Sequence, residues 1–173
     1  MKALYRRAFL LGLSLNAWLT RRPFVRPLEV LVTTPFFVFL TRLIRGKAPE
    51  PMLQTPESLG KEWERLLGSR RYAHVVRIDE KTKTAYGEIT GFCPLRGTGD
   101  VMACHRLMAY DRGLMKPLGA RFVVLESQSE PGRTSCSIAI RASGLDASDL
   151  VAAHERVSKA GRLAQGSTPS LTK

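Results

Sequence analysis

Apolar and polar positions divide the chain into a greasy N-terminal segment and a longer, regularly patterned remainder. Residues 8–19, AFLLGLSLNAWL, are an apolar run between Arg6-Arg7 and Arg21-Arg22. From Leu28 to Ile44, apolar side chains fall at Leu28, Leu31, Val32, Phe36, Phe39, Leu40, Leu43 and Ile44, close to helical spacing, and Phe37 and Val38 broaden that face. Pro27 marks a helix start there and Pro35 predicts a kink. The first run resembles the start of a signal peptide, but no small-x-small cleavage site follows it. It is also shorter than the roughly 20 residues a membrane-crossing helix needs. Two apolar N-terminal helices that lie along a surface are the expectation.

The pattern changes after residue 47. Three prolines between residues 46 and 57 read as a linker, placed at 48–55. Thr55-Pro56 suits an N-cap followed by proline at the first helical position, and Leu59, Trp63, Leu66 and Leu67 share one helical face before Gly68. YAHVVRID and TAYGEITGF then flank the polar turn EKTK and predict an antiparallel hairpin. Asp100 is a plausible N-cap for a helix VMACHRLMAYDRGLM, ending at Gly113 or at Lys116-Pro117. A second hairpin follows, ARFVVLESQS and RTSCSIAIR, with Pro131-Gly132 at the centre of a type II turn. Pairing outward from that turn sets Ser127 opposite Cys136, Leu125 opposite Ile138 and Val123 opposite Ile140, so Cys136 points to the core. A last helix is expected from about Ala147 to Ala164. The order implies an α+β domain over 56–165, with a four-stranded, mainly antiparallel sheet built from two hairpins with packed helices, and a frayed tail at 166–173.

Charge sharpens the division. Residues 1–47 hold nine basic side chains against Glu29 alone, a balance of +8 out of the chain's net +12, which leaves +4 for the other 126 residues. A nucleic-acid domain should not be so lopsided, and no recognition-helix, zinc-finger or RNA-binding signature occurs, so no specific nucleic-acid partner is expected. Arginine beside short apolar helices suits the interface of an anionic bilayer. The other reading is that both helices pack on the domain, or on an apolar protein partner. The arginine-rich flanks favour a cytoplasmic protein peripheral to the inner face of a membrane.

Chemistry concentrates in CPLRGTGDVMACH, residues 93–105. Cys93, Cys104 and Cys136 are an odd number with no CxxC pair, so free thiols are expected rather than a disulfide scaffold. Cys104, near a helix N-terminus, could gain nucleophilicity from the macrodipole. Asp111 lies seven residues on, sharing a face with Cys104, Leu107, Met108 and Met115, whereas His105 points about 100° away. Gly97-Thr98-Gly99 could offer backbone amides to an anion. Three cysteines and a histidine would suit zinc, but their spacings match no compact knuckle. The plainest alternative is that the thiols are small core hydrophobes. His74 and His154 read as structural or solvated.

Cys93-Pro94 before a helix, Cys104 and Asp111 on it, then VVLESQS with Glu126, the turn Gly132 and SCSIAIR with Cys136 together resemble the L-2-amino-thiazoline-4-carboxylic acid hydrolase-like family. The related vinyl-4-reductase-type small-molecule-binding domains are similar. The likeness covers residues 88–141 and rests on scattered positions; the long basic N-terminus and the PLRGTGDVMA loop depart from it. It implies hydrolytic opening of a small heterocycle with cysteine as nucleophile. A fainter resemblance, through widely spaced cysteines, is to iron-dependent plastid carotenoid isomerases.

The resulting expectation is a peripheral membrane-associated, hydrolase-like domain with a cysteine-lined pocket for a small molecule. Cys104 is its nucleophile, Asp111 or His105 assists proton transfer, and Cys93, Gly97, Gly99, Glu126 and Cys136 contact substrate. No metal ligand and no cofactor are assigned. One alternative is a non-catalytic accessory module docked by residues 1–47. The other is a metal-dependent enzyme, using zinc or iron, on an apolar substrate.

Overall fold

The computed structural model of the chain describes residues 2–22, 24, 34–46 and 55–158, with side chains from residue 11 onward. It is an α+β fold around a four-stranded antiparallel sheet in the order β1-β2-β4-β3, where β1 is Ala73–Asp79, β2 Thr84–Ile89, β3 Ala120–Glu126 and β4 Cys136–Ala142. The helices are α1, Lys2–Thr20; α2, Thr34–Arg45; α3, Pro56–Leu67; α4, Val101–Leu107; and α5, Ala109–Met115. Residues 47–54, most of the expected linker, the stretch around Pro27 and the tail from 159 lie outside the described residues.

Helix α3 forms as its sequence predicts. The Thr55 hydroxyl accepts from Ser58 N at 3.3 Å, Pro56 needs no amide partner in the first turn, and Gly68 N closes the end on Glu64 O. Its inner face places Leu59, Trp63 and Leu66 over β1, β2 and β4. Gly87 makes this approach possible, since a Cβ there would stand 2.9 Å from Trp63 Cζ3 and 3.0 Å from Ile138 Cδ1. Trp63 is completely buried and meets Phe122 at a ring separation of 5.9 Å. Side chains of this size each contribute about 1.5–3 kcal/mol by leaving water.

The core face of the sheet carries Ala85, Gly87, Cys136, Ile138, Ile140, Ala120, Phe122 and Val124. This corrects the expected register of the second hairpin. Glu126 pairs with Ser137 as the turn predicts, but an irregularity between Val124 and Glu126 shifts the rest, so Val124 faces Ile138 and Phe122 faces Ile140. One extra residue flips every side chain beyond it, and the larger Phe122 enters the core in place of Val123 and Leu125. The turn itself is as expected: Arg133 N reaches Glu130 O at 3.3 Å, and Gly132 has φ +77, as a type II turn requires at that position.

Three helical expectations are also revised. The 101–115 helix breaks at Met108 into α4 and α5. Pro35 sits in the first turn of α2, where its missing amide costs nothing, rather than at a kink. The last helix begins at residue 153, not 147. Residues 146–150 are instead clamped to the outer sheet face: buried Arg141 donates to Asp149 Oδ1 and Oδ2 at 2.6 and 2.8 Å, and to Thr84 Oγ1 at 2.7 Å.

Candidate functional site

Two loops meet at the edge of the sheet and hold the cysteines between them. Ser127, Gln128 and Ser129 are completely buried. The Gln128 carboxamide accepts from Arg96 Nε and Nη2 at 2.8 and 2.6 Å and donates to Ile89 O at 2.9 Å, which closes the polar accounting of a buried amide. Gln128 N donates to Cys136 Sγ at 3.3 Å. The Ser127 and Ser129 hydroxyls share a hydrogen bond of 2.7 Å.

Cys104 and Cys136 form a hydrogen-bonded thiol pair against this knot. The Cys136 thiol donates to Cys104, which holds Cys104 below its ordinary value; Ser127 adds a second hydrogen bond and Arg112 a favourable charge, while burial and Asp111 oppose them. Cys136 is correspondingly held protonated, first by that bond and then by burial. The two thiols titrate as a pair, with the lowering directed to Cys104. Burial raises the Cys93 thiol, and the nearby Cys104 charge raises it further. All three cysteines are free.

Helix capping contributes less than the sequence suggested. Asp100 does cap α4, accepting from Ala103 N at 2.7 Å, and Cys104 N bonds to Asp100 O. The break at Met108 leaves only seven residues of α4, so the hydrogen bonds from Cys136 and Ser127, rather than a long macrodipole, set the thiol.

A cavity of about 480 Å³ runs along the β3 edge, and Cys104 forms part of its wall with His105, Arg112, Ser127 and His154. The His105 and His154 rings stack with centroids 3.7 Å apart. His105 is driven down to about 4 by burial, by the charges of Arg112 and Arg106, and by His154. It is a neutral base at physiological pH. Although α4 turns His105 away from Cys104, the last segment folds back far enough for both to face one cavity.

Six expected site residues do not join them: Cys93 and Cys136, expected to contact substrate, pack against the core outside the cavity wall, and four others are engaged elsewhere. The Gly97 and Gly99 amides are committed to Gln128 O at 2.9 Å and Ser129 O at 2.7 Å, so they bind the neighbouring loop and not an anion. Glu126 pairs with Arg133 at 2.6 Å and faces a second, shallower depression on the outer side of the sheet. Asp111 is fully buried on the core side, accepts from Trp63 Nε1 at 3.1 Å, and is pushed up to about 6 by burial. Among the described residues, no set of three His, Cys, Asp or Glu side chains is placed to hold a metal ion.

Sequence reading passed over Gln128 and Arg112, named Ser127 only for its place in the hairpin, and read His154 as structural or solvated. The SQS triplet carried a signal: three small or amide side chains in a row at a strand end, where charged surface residues are usual. His154 carried none, because its partner is 49 residues away. Comparison of the chain with family models, curated proteins and solved structures finds no match.

Proposed function

We propose that this chain is a hydrolase-like domain that takes a small molecule into the cavity along β3, with Cys104 as nucleophile. The observation that supports it most is the position of Cys104: it forms part of the cavity wall while packing against Cys136, which lowers it from the ordinary thiol value. A thiolate is the reactive form of cysteine, and His105 in the same wall, neutral and held down to about 4, is a weak base beside it. Arg112 supplies positive charge for an anion developing beside Cys104. Asp111, which does not line the cavity, biases Cys104 and Arg112 through its charge. The resemblance to the thiazoline-carboxylate hydrolase-like family agrees with this reading and leaves the particular heterocycle open.

Residues 1–47, with their apolar helices, serve in this reading to attach the domain at the cytoplasmic face of a membrane. No helix among the described residues is long and apolar enough to cross one. The second reading, a non-catalytic binding or accessory module, is favoured by the density of apolar side chains left outward on α1 and α2. A metal-dependent reaction draws no support from the donor set described above.

The experiment that separates the first two readings is alkylation of native protein with iodoacetamide, mapped by mass spectrometry across pH. The nucleophile reading expects one fast-reacting thiol, Cys104, with an apparent pKa below that of a free cysteine. Three inert thiols would overturn it and leave the accessory reading.

A further inference from the structure

We infer that the outward faces of α1 and α2 are a docking surface for an anionic bilayer, an inference that rests on the attachment reading above and commits it to one partner. The two helices already have their inner faces occupied. In α1, Leu13, Ala17 and Thr20 turn toward the domain, and Thr20 O accepts from Arg106 Nε at 2.7 Å. In α2, Val38 lies against Gly113, the Thr41 hydroxyl and Tyr110 OH are 2.6 Å apart, and Arg42 Nη2 donates to Leu114 O at 2.8 Å. What remains outward is not the polar face of an ordinary surface helix. Leu11, Leu15 and Trp18 fall one turn apart on α1 and are 72, 59 and 52 % exposed; on α2, Phe36, Phe39 and Leu43 are 57, 64 and 68 % exposed.

These side chains are too many and too regularly placed to be the scattered apolar residues of any protein surface. Charge identifies what covers them. Exposed Arg22 ends the α1 face with its guanidinium 5.1 Å above the Trp18 ring; Arg21 beside it is exposed and also pairs with Asp100 at 3.8 Å, and exposed Arg45, whose guanidinium lies against Gly68, ends the α2 face. Residues 1–47 contain one acidic side chain. A surface of large apolar groups bordered by arginine, with almost no acid, matches a layer that is anionic outside and hydrocarbon beneath. Tryptophan backed by arginine suits the headgroup boundary.

The test is co-sedimentation of the full chain with phosphatidylcholine vesicles, with and without phosphatidylglycerol, across salt concentrations. The expected result is binding that requires phosphatidylglycerol, weakens with salt, and falls at least about tenfold in the Leu15→Asp, Leu43→Asp double variant. Equal binding to both vesicle types, or binding unchanged in the double variant, would overturn the inference. So would absence of vesicle binding together with concentration-dependent self-association lost in the same variant, because a second copy would then cover these faces. Iodoacetamide labelling of the same samples keeps the two proposals apart. Normal Cys104 labelling without vesicle binding sinks only the docking surface, whereas vesicle binding with inert thiols sinks only the nucleophile.

Discussion

The rings of His105 and His154 lie 3.7 Å apart and join α4 to the helical turn at residues 153–158 in the wall of the cavity. Burial first, and then the charges of Arg112, His154 and Arg106, disfavour the protonated ring and push His105 down to about 4. A group whose folded pKa lies below its unfolded value contributes stability at high pH that is lost as pH falls. Asp111 runs the other way: its folded value near 6 exceeds the ordinary 3.8, so its contribution is favourable at low pH and is lost as pH rises through 6.

The two slopes oppose one another between about pH 4 and 6, so the wild-type protein should show a shallow stability profile there. His105→Gln should expose the Asp111 slope, with stability falling by about 3 kcal/mol as pH rises from 4 to 7. Asp111→Asn, which keeps an acceptor for Trp63, should expose the reverse slope and be the more stable protein at pH 7. Urea unfolding at a series of pH values decides this; parallel profiles in both variants would refute the assignment.

Cys136 is expected to act through Cys104. Removing its thiol in Cys136→Ala takes away the main donor to Cys104, so alkylation of Cys104 at neutral pH should slow about tenfold, with the loss recovered at high pH. Cys136→Ser retains a hydroxyl donor and should restore part of the rate. A pH–rate profile with iodoacetamide separates this from a packing defect, which would slow or accelerate labelling at every pH alike.

Arg141 and Asp149 are unequal partners. The Arg141 side chain is 4 % exposed, while that of Asp149 is 49 % exposed. Asp149→Ala leaves a buried guanidinium with only Thr84 Oγ1 and Asp146 O, and should cost about 2 kcal/mol. Arg141→Met fills similar volume without charge and frees Asp149 to water, so its cost should stay below about 1 kcal/mol. Equilibrium unfolding of the two variants gives the order directly.

Gly113 sets the distance between α2 and α5. A Cβ at this position would stand 2.8 Å from Val38 Cγ2. Gly113→Val should therefore push α2 outward at a cost of about 1–3 kcal/mol. Hydrogen exchange should quicken across residues 34–45 and stay unchanged in β4, which packs on β2, β3 and α3.

Local signals were legible in the sequence, and long-range ones were not. The Thr55, Asp100 and Gly132 positions each state a cap or turn within four residues, and each is found where expected. The sheet register was legible only as far as the irregularity beside Leu125, since nothing in ARFVVLE announces an extra residue when both alternating sets are apolar. The site divided in the same way. Three cysteines could be named, but that Cys136 donates to Cys104 depends on β4 lying beside β2, a tertiary fact. The glycine loop misled because its sequence suits an anion cradle, while its amides are spent on Gln128 and Ser129 of a partner loop far downstream.

The strand order has a consequence for biosynthesis. β4 lies between β2 and β3, so the sheet is two unattached halves until residues 136–142 have been made. Cys136 is the first residue of that strand and arrives with it. A nascent or truncated chain ending before residue 136 lacks both the central strand and the donor that acidifies Cys104. In the proposed reading, Cys104 therefore gains its thiolate character last, when β4 docks and the fold closes.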